Sequence, residues 1–180
     1  MNSSLISKVE KSRRYAEEPE RVRFQAFEVA FEGENGHHAV TMDGAEFVDS
    51  SHSFKTQGTS SHIMALQRIL APMLSDEQQT SGAPFSFSPQ TSSYVSKIEK
   101  ARMYAEEPHR VKFLSFRATL RGSHDEHHVA MDGDDFSCDC HGFEVQASCA
   151  HIMALQKILA EMLTEDQQVA GQPFSFSSLE

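Results

Sequence analysis

The residues best able to do chemistry sit in one stretch of the chain. All three cysteines fall within Cys138-x-Cys140-x8-Cys149-x-His151. Three thiolates and one imidazole fill the tetrahedral shell of a zinc ion, and four protein ligands leave no coordination position for a substrate. The spacing therefore predicts one structural zinc ion per chain, held by Cys138, Cys140, Cys149 and His151. Cys138 and Cys140, two residues apart at a strand end, turn the same way on an extended backbone. Gly142 is expected to let the chain fold back behind them. Cys149 and His151 then enter from the N-terminus of the last helix, where the helix dipole favours a thiolate. The same groups admit two other readings: buried free cysteines beside a surface histidine, and a reversible thiol switch in which zinc thiolates are oxidised.

The elements that must position these ligands are written twice. Ser7-Lys8-Val9-Glu10-Lys11 returns as Ser96-Lys97-Ile98-Glu99-Lys100, and the AEEP of Ala16–Pro19 returns at Ala105–Pro108. HIMALQ at His62–Gln67 returns at His151–Gln156, and PFSFS at Pro84–Ser88 returns at Pro173–Ser177. The offset is 89 residues (Ser7 to Ser96, Pro84 to Pro173), a domain-sized unit, so the reading is a tandem duplication and not a solenoid. The expected organisation is a first repeat over 1–88, a polar linker over 89–93 and a second repeat over 94–180. So short a tether suggests a pseudo-twofold pair.

Each repeat has the same local grammar. The capping-box patterns Ser7-x-x-Glu10 and Ser96-x-x-Glu99 open a helix that runs to about Tyr104 or Ala105 in the second repeat and stops before Pro108. Val111 to Arg121 reads as a strand, with Leu114, Phe116, Ala118 and Leu120 on one face. Phe27, Val29 and Phe31 form such a face in the first repeat. A strand near His127–Met131, the Asp132-Gly133 hairpin signal and a strand near Asp135–Cys138 follow. A helix from about His151 to Leu163 closes the unit, with Ile152, Leu155, Leu159 and Met162 at helical spacing. The fold class is α+β: helix, three-stranded antiparallel sheet, helix, twice over. Met42, Met64, Met73, Met131, Met153 and Met162 are expected in the core.

CxCx8CxH followed by an amphipathic helix resembles the SWIM-type zinc finger, directly over about Phe136 to Leu163. The surrounding AEEP-containing unit resembles the short bacterial proteins that carry one such finger. The resemblance implies the same four zinc ligands in a compact strand–strand–helix arrangement. It also implies a role in DNA binding or protein–protein interaction, and the motif does not choose between them. In the first repeat the corresponding positions are Asp49, Ser51, Ser60 and His62. Serine is a poor zinc ligand, so a hydrogen-bonded polar cluster is expected there. A weak metal site on Asp49, His52 and His62 is the less favoured alternative. Without zinc, the first repeat is expected to be a structural partner that does not fold alone. His52 and His141, beside the ligand positions, are candidates to brace them. His37, His38, His124, His127 and His128 around the first hairpin loops read as exposed strand-end histidines, with a further weak metal site as the less favoured alternative.

Composition bounds the function. Hydrophobic residues make up 39% and charged residues 23% of the 180 positions, a globular mixture. No run approaches the length of a membrane span and the start carries no secretory signal, which predicts a cytoplasmic protein without membrane attachment. The formal net charge of -10 argues against a nonspecific hold on nucleic acid. Basic residues nevertheless gather early in each repeat, within 8–23 and 97–121. No phosphate loop, nucleophile–base pair or small-molecule site stands out, so no enzymatic activity is expected. The first expectation is a zinc-stabilised adaptor for a protein partner, with the PFSFS edges as one candidate contact. The second is a nucleic-acid-binding protein using the two basic segments, and the third is a zinc-thiolate redox sensor.

Overall fold

The computed structural model describes residues 3–82 and 92–171. Six strands form one antiparallel sheet: β1 (Val22–Gly33), β2 (Gly36–Asp43), β3 (Glu46–Asp49), β4 (Val111–Arg121), β5 (Glu126–Asp132) and β6 (Asp135–Cys138). Their order is β3-β2-β1-β4-β5-β6, so the long strands β1 and β4 pair at the centre and the sheet is continuous. Gly44 and Gly133 sit in the tight turns before β3 and β6 at φ 63° and 62°, a conformation that glycine adopts without strain.

Alternation explains the core. Val22, Phe24, Phe27, Val29 and Phe31 of β1 are buried, as are Val111, Phe113, Phe116, Ala118 and Leu120 of β4. Phe24 stacks on Phe113 with ring centroids 5.6 Å apart and meets Phe116 edge-on at 5.6 Å. Each such ring contributes about 1.5–3 kcal/mol by leaving water. The expected face through Leu114 needs correction. Pairing of β1 with β4 slips between Glu28 and Val29, and Leu114 falls in the slip and is exposed. A second slip falls at Gln25. A β-bulge adds one residue to one strand and re-aims its side chain, which alternation alone does not reveal.

Eight α-helices occur among the described residues: α1 (Ser3–Ala16), α2 (His52–Gln57), α3 (Ser61–Ile69), α4 (Asp76–Thr80), α5 (Ser92–Ala105), α6 (His141–Gln146), α7 (Ala150–Ile158) and α8 (Glu165–Val169). The opening helices α1 and α5 and the closing helices α3 and α7 match the expected pattern; the short α2, α4, α6 and α8 were not anticipated. The expected closing helix is broken, since α7 ends at Ile158 and a 3-10 turn follows over Ala160–Met162. Ser7 and Ser96 lie inside α1 and α5, so neither opens its helix. The capping boxes are at Ser75 with Gln78, and at Thr164 with Gln167. The buried Gln78 and Gln167 also staple the short α4 and α8 to the sheet. The Gln78 amide donates to the carbonyls of Phe24 and Gly44 at 2.9 and 2.8 Å, and that of Gln167 to those of Phe113 and Gly133 at 3.0 and 2.9 Å.

The helices pack across the chain. α1 lies on α7, and α5 lies on α3. Arg21 donates to the carbonyl of Arg121 at 3.0 Å, and Arg110 to that of Glu32 at 3.0 Å. Each opening helix thus covers the closing helix of the other half. The anticipated linker overlaps α5, which begins at Ser92, and its remainder and both PFSFS segments lie outside the described residues. Five of the six methionines expected inside are buried, and Met64 packs on the core's edge. No helix among the described residues is long and apolar enough to cross a membrane.

Candidate metal centre

The structure brings Cys138, Cys140, Cys149 and His151 together. All four are buried, and their ligand atoms lie within 4.8 Å of one another, a group able to hold a metal ion. Cys138 closes β6. Cys140 and Cys149 are the N-caps of α6 and α7, with extended backbones (ψ 153° and 162°), and each sulfur accepts from the amide three residues on. Those contacts, Phe143 N to Cys140 Sγ at 3.4 Å and Ile152 N to Cys149 Sγ at 3.5 Å, favour the thiolate that a metal needs. His151 follows in the first turn of α7. Gly142 lies within α6 and an added Cβ there would meet only ordinary contacts, so the fold-back does not demand glycine.

The donor set can be tested against zinc geometry. Cys138 Sγ and His151 Nδ1 are 3.7 Å apart. Zn–S of about 2.3 Å and Zn–N of about 2.0–2.1 Å at the tetrahedral angle place sulfur and nitrogen about 3.6 Å apart. The separation fits with Nδ1 as the ligand atom. Hydrogen bonding from Cys138, with help from His151 and the Ile152 amide, outweighs burial and holds the Cys149 thiol down at about 4. The Cys138 thiol, hydrogen-bonded to Cys149 and buried, is pushed up, and burial also raises Cys140. A metal bound here would displace the thiol protons that remain.

The surroundings come largely from the other half of the chain. Tyr15 of α1 stacks on His151 at 5.9 Å and 12°, and His127 packs on the same ring at 4.4 Å. Lys8 and Lys11 of α1 line the approach to Cys140 and Cys149, and the Lys8 ammonium donates to the Ser148 carbonyl at 3.2 Å and to Gln146. Two lysines there complement a centre whose three thiolates would leave it net negative around a divalent ion. At Gly122 a Cβ would meet the His151 ring only at an ordinary 3.6 Å, and the tight approach is to the Asp125 carbonyl at 3.1 Å. The sequence reading missed these neighbours. One signal was available: two of the chain's three tyrosines, Tyr15 and Tyr104, occur at the same place in the two repeats.

The corresponding cluster of the first half is a closed hydrogen-bond network. Asp49, 1% exposed, accepts from His62 Nδ1 at 2.8 Å and from the Ser51 amide and hydroxyl at 3.0 Å each. Burial alone would raise its pKa, but the bonds from His62, Ser60 and Ser51 outweigh it and hold the carboxyl at about 2. Ser51 and Ser60 still cap α2 and α3 as Cys140 and Cys149 cap α6 and α7. His38, Asp49 and His62 also lie close enough to form a metal-binding group. His52, a candidate ligand in the less favoured metal reading of this cluster, is exposed and is not part of that group.

Three of the remaining histidines face carboxylates. His127 and His128 meet Asp139 at 3.3 and 3.0 Å, and His141 is exposed and faces Glu144 at 3.8 Å. Neither His141 nor His52 braces a ligand position. His124, His37 and the His127–His128 pair form no metal-binding group among the described residues. No family model, no curated protein and no solved structure matches the chain.

Proposed function

We propose that the chain is a non-enzymatic, zinc-stabilised SWIM-type module that joins macromolecules, foremost as a protein–protein adaptor. Two sequence repeats of three strands each form a pseudo-twofold pair, and only the second holds zinc, one ion per chain on Cys138, Cys140, Cys149 and His151. The observation that carries the reading is the closed donor set. Four buried protein ligands saturate a tetrahedral ion and leave no site for a substrate, so the metal organises structure. Zinc there ties β6, α6 and α7 together, and α1 extends the tie to the first half.

The surface supports a protein partner over nucleic acid. Part of the basic complement is already engaged: Arg21 with Glu18, Arg110 with Glu107, Lys100 with Glu34 at 3.2 Å, Arg117 with Asp43 at 3.8 Å, and Lys112 with the Glu161 carbonyl at 3.0 Å. The open face of the sheet holds a groove of about 690 Å³ whose lining includes Glu28, Asp43, Asp132 and Asp135 against the single base Arg117. An acidic trough repels phosphates and suits a protein that presents lysine or arginine. Titration of the zinc-loaded protein with labelled single- and double-stranded DNA across a salt series tests the choice. No binding at low salt is expected, and tight binding that weakens steeply with salt would overturn the adaptor reading.

A further inference from the structure

Outside the metal centre, one cavity combines a buried, unpartnered cation with converging polar groups. It lies where α5 covers α3, has a volume of about 380 Å³, and is lined by Ser60, Ser61, His62, Lys97, Lys100 and Tyr104, among others. Lys97 Nζ is buried and finds no hydrogen-bond acceptor among the described residues. Its counterpart 89 positions earlier, Lys8, donates to Gln146 and to the Ser148 carbonyl over the cysteine cluster. Gln57 and Thr59, which correspond to those acceptors, do not take the Lys97 proton. A buried ammonium without a partner is costly, so a ligand that supplies oxygen acceptors and negative charge has a ready source of binding free energy.

The charges facing this space favour an anion. Lys97 and Lys100 reach it from α5, and Glu34 at its edge is paired with Lys100 at 3.2 Å. Asp49 is buried and does not line the cavity, and its oxygens already accept from His62 and Ser51. The first turn of α3, from Ser61, opens on the same space with amide donors that no helix carbonyl satisfies. Burial lowers the pKa of Lys97, which an anion would reverse.

We propose that the cavity between α3 and α5, with Lys97 at its centre, binds a small oxyanion of the phosphate class, free or as the terminal group of a phosphomonoester. The site is separate from the cysteine cluster, and neither the zinc nor the adaptor reading depends on it. The test uses the full-length zinc-loaded chain titrated with inorganic phosphate by calorimetry, alongside Lys97→Met and, as a control, Lys55→Met in the exposed α2. Saturable binding by the unaltered chain and the control, weakened at least tenfold in Lys97→Met, is expected. In the unaltered chain phosphate should also shift the ring resonances of His62 and leave those of His151 in place, a readout that does not depend on any variant. Absence of saturable binding, equal binding by Lys97→Met, or unmoved His62 resonances would each overturn the assignment.

Discussion

The chain sets two solutions of one problem side by side. At the end of β6 and the starts of α6 and α7, four buried groups converge as three sulfurs and an imidazole; at the end of β3 and the starts of α2 and α3, they converge as a carboxylate, two hydroxyls and an imidazole. The backbone scarcely differs: Cys140 and Ser51 both cap at ψ near 150°, and Cys149 and Ser60 near 160°. Sulfur and oxygen play the same N-cap role in both, accepting the amide three residues on. What changes is how the centre is closed. In one the donors point at a common point that a metal can fill, and in the other Asp49 gathers the donors onto itself. The pair shows that the capping geometry is common to both clusters, while a metal would be one of two ways to satisfy what the caps bury.

The sharpest way to break that comparison is to convert one cluster into the other. Cys149→Ser alone removes a ligand and leaves two thiols with no carboxylate to organise them. A structural zinc site holds on the order of 10 kcal/mol of metal-linked stability, against about 5–15 kcal/mol for a whole domain. The single variant should lose its zinc and most of its cooperative melting. The triple change Cys138→Asp, Cys140→Ser and Cys149→Ser copies the first cluster and should recover folded, metal-free protein by circular dichroism and metal analysis. A triple variant as unfolded as the single one would mean that the oxygen cluster depends on surroundings the second half lacks.

The reverse strike is on Asp49. Asp49→Ala leaves His62 and two hydroxyls buried without their acceptor, and loss of one member of a buried pair removes about 3–5 kcal/mol; zinc content should stay at one per chain. The same carboxylate predicts a pH dependence. Its pKa is about 2 in the folded chain and 3.8 ordinarily, so its contribution is complete above pH 4 and is lost as pH falls through 2. At about 1.4 kcal/mol per pH unit this amounts to about 2.5 kcal/mol in all, of which about 2 kcal/mol is lost between pH 4 and pH 2. Denaturant melts of the unaltered chain and of Asp49→Ala should therefore converge by that amount between pH 4 and pH 2. Subtracting the two removes the acid release of metal common to both, and parallel curves would refute the assignment.

The ligand spacing was legible because a tetrahedral metal site demands particular residue types close in sequence, and the hairpins were legible because Asp-Gly at 43–44 and 132–133 needs little context. A mixed α+β fold with antiparallel strands was legible, as were the ends of α1 and α5 before Pro19 and Pro108, although both helices start four residues earlier than the serine patterns suggest. Three things were hidden for a physical reason: they depend on contacts distant in sequence. Exchange of α1 and α5 between halves follows from which helix faces fit, and each half contains a partner of its own that would satisfy the same pattern. Leu114 looks like a core residue until the β1–β4 register slips beside it. His38 joins Asp49 and His62 only because β2 pairs with β1 and β3, placing Val40 opposite both Val29 and Asp49. The serine-to-glutamate patterns misled because a capping box is a weak signal without the first free amide of a helix to receive it.

The smallest test of the comparison concerns a single methyl group. α2 ends at Gly58 with φ 69°, and α6 ends at Ala147 with φ 54°, the one residue other than glycine with positive φ among those described. Both amides close the last turn, on the carbonyls of Phe54 and Phe143 at 2.8 and 2.7 Å. A left-handed conformation disfavours any residue with a Cβ by about 1–2 kcal/mol, whereas glycine also widens the unfolded ensemble. Ala147→Gly should therefore raise stability by about 0.5–1 kcal/mol, and Gly58→Ala should lower it by a similar amount. The two changes read the same turn in the two halves, so equal and opposite shifts in denaturant midpoint are expected with zinc bound. A gain at Ala147 that disappears when zinc is chelated would place the strain in the metal-bound loop. A gain that persists would place it in the helix end, where the geometry puts it.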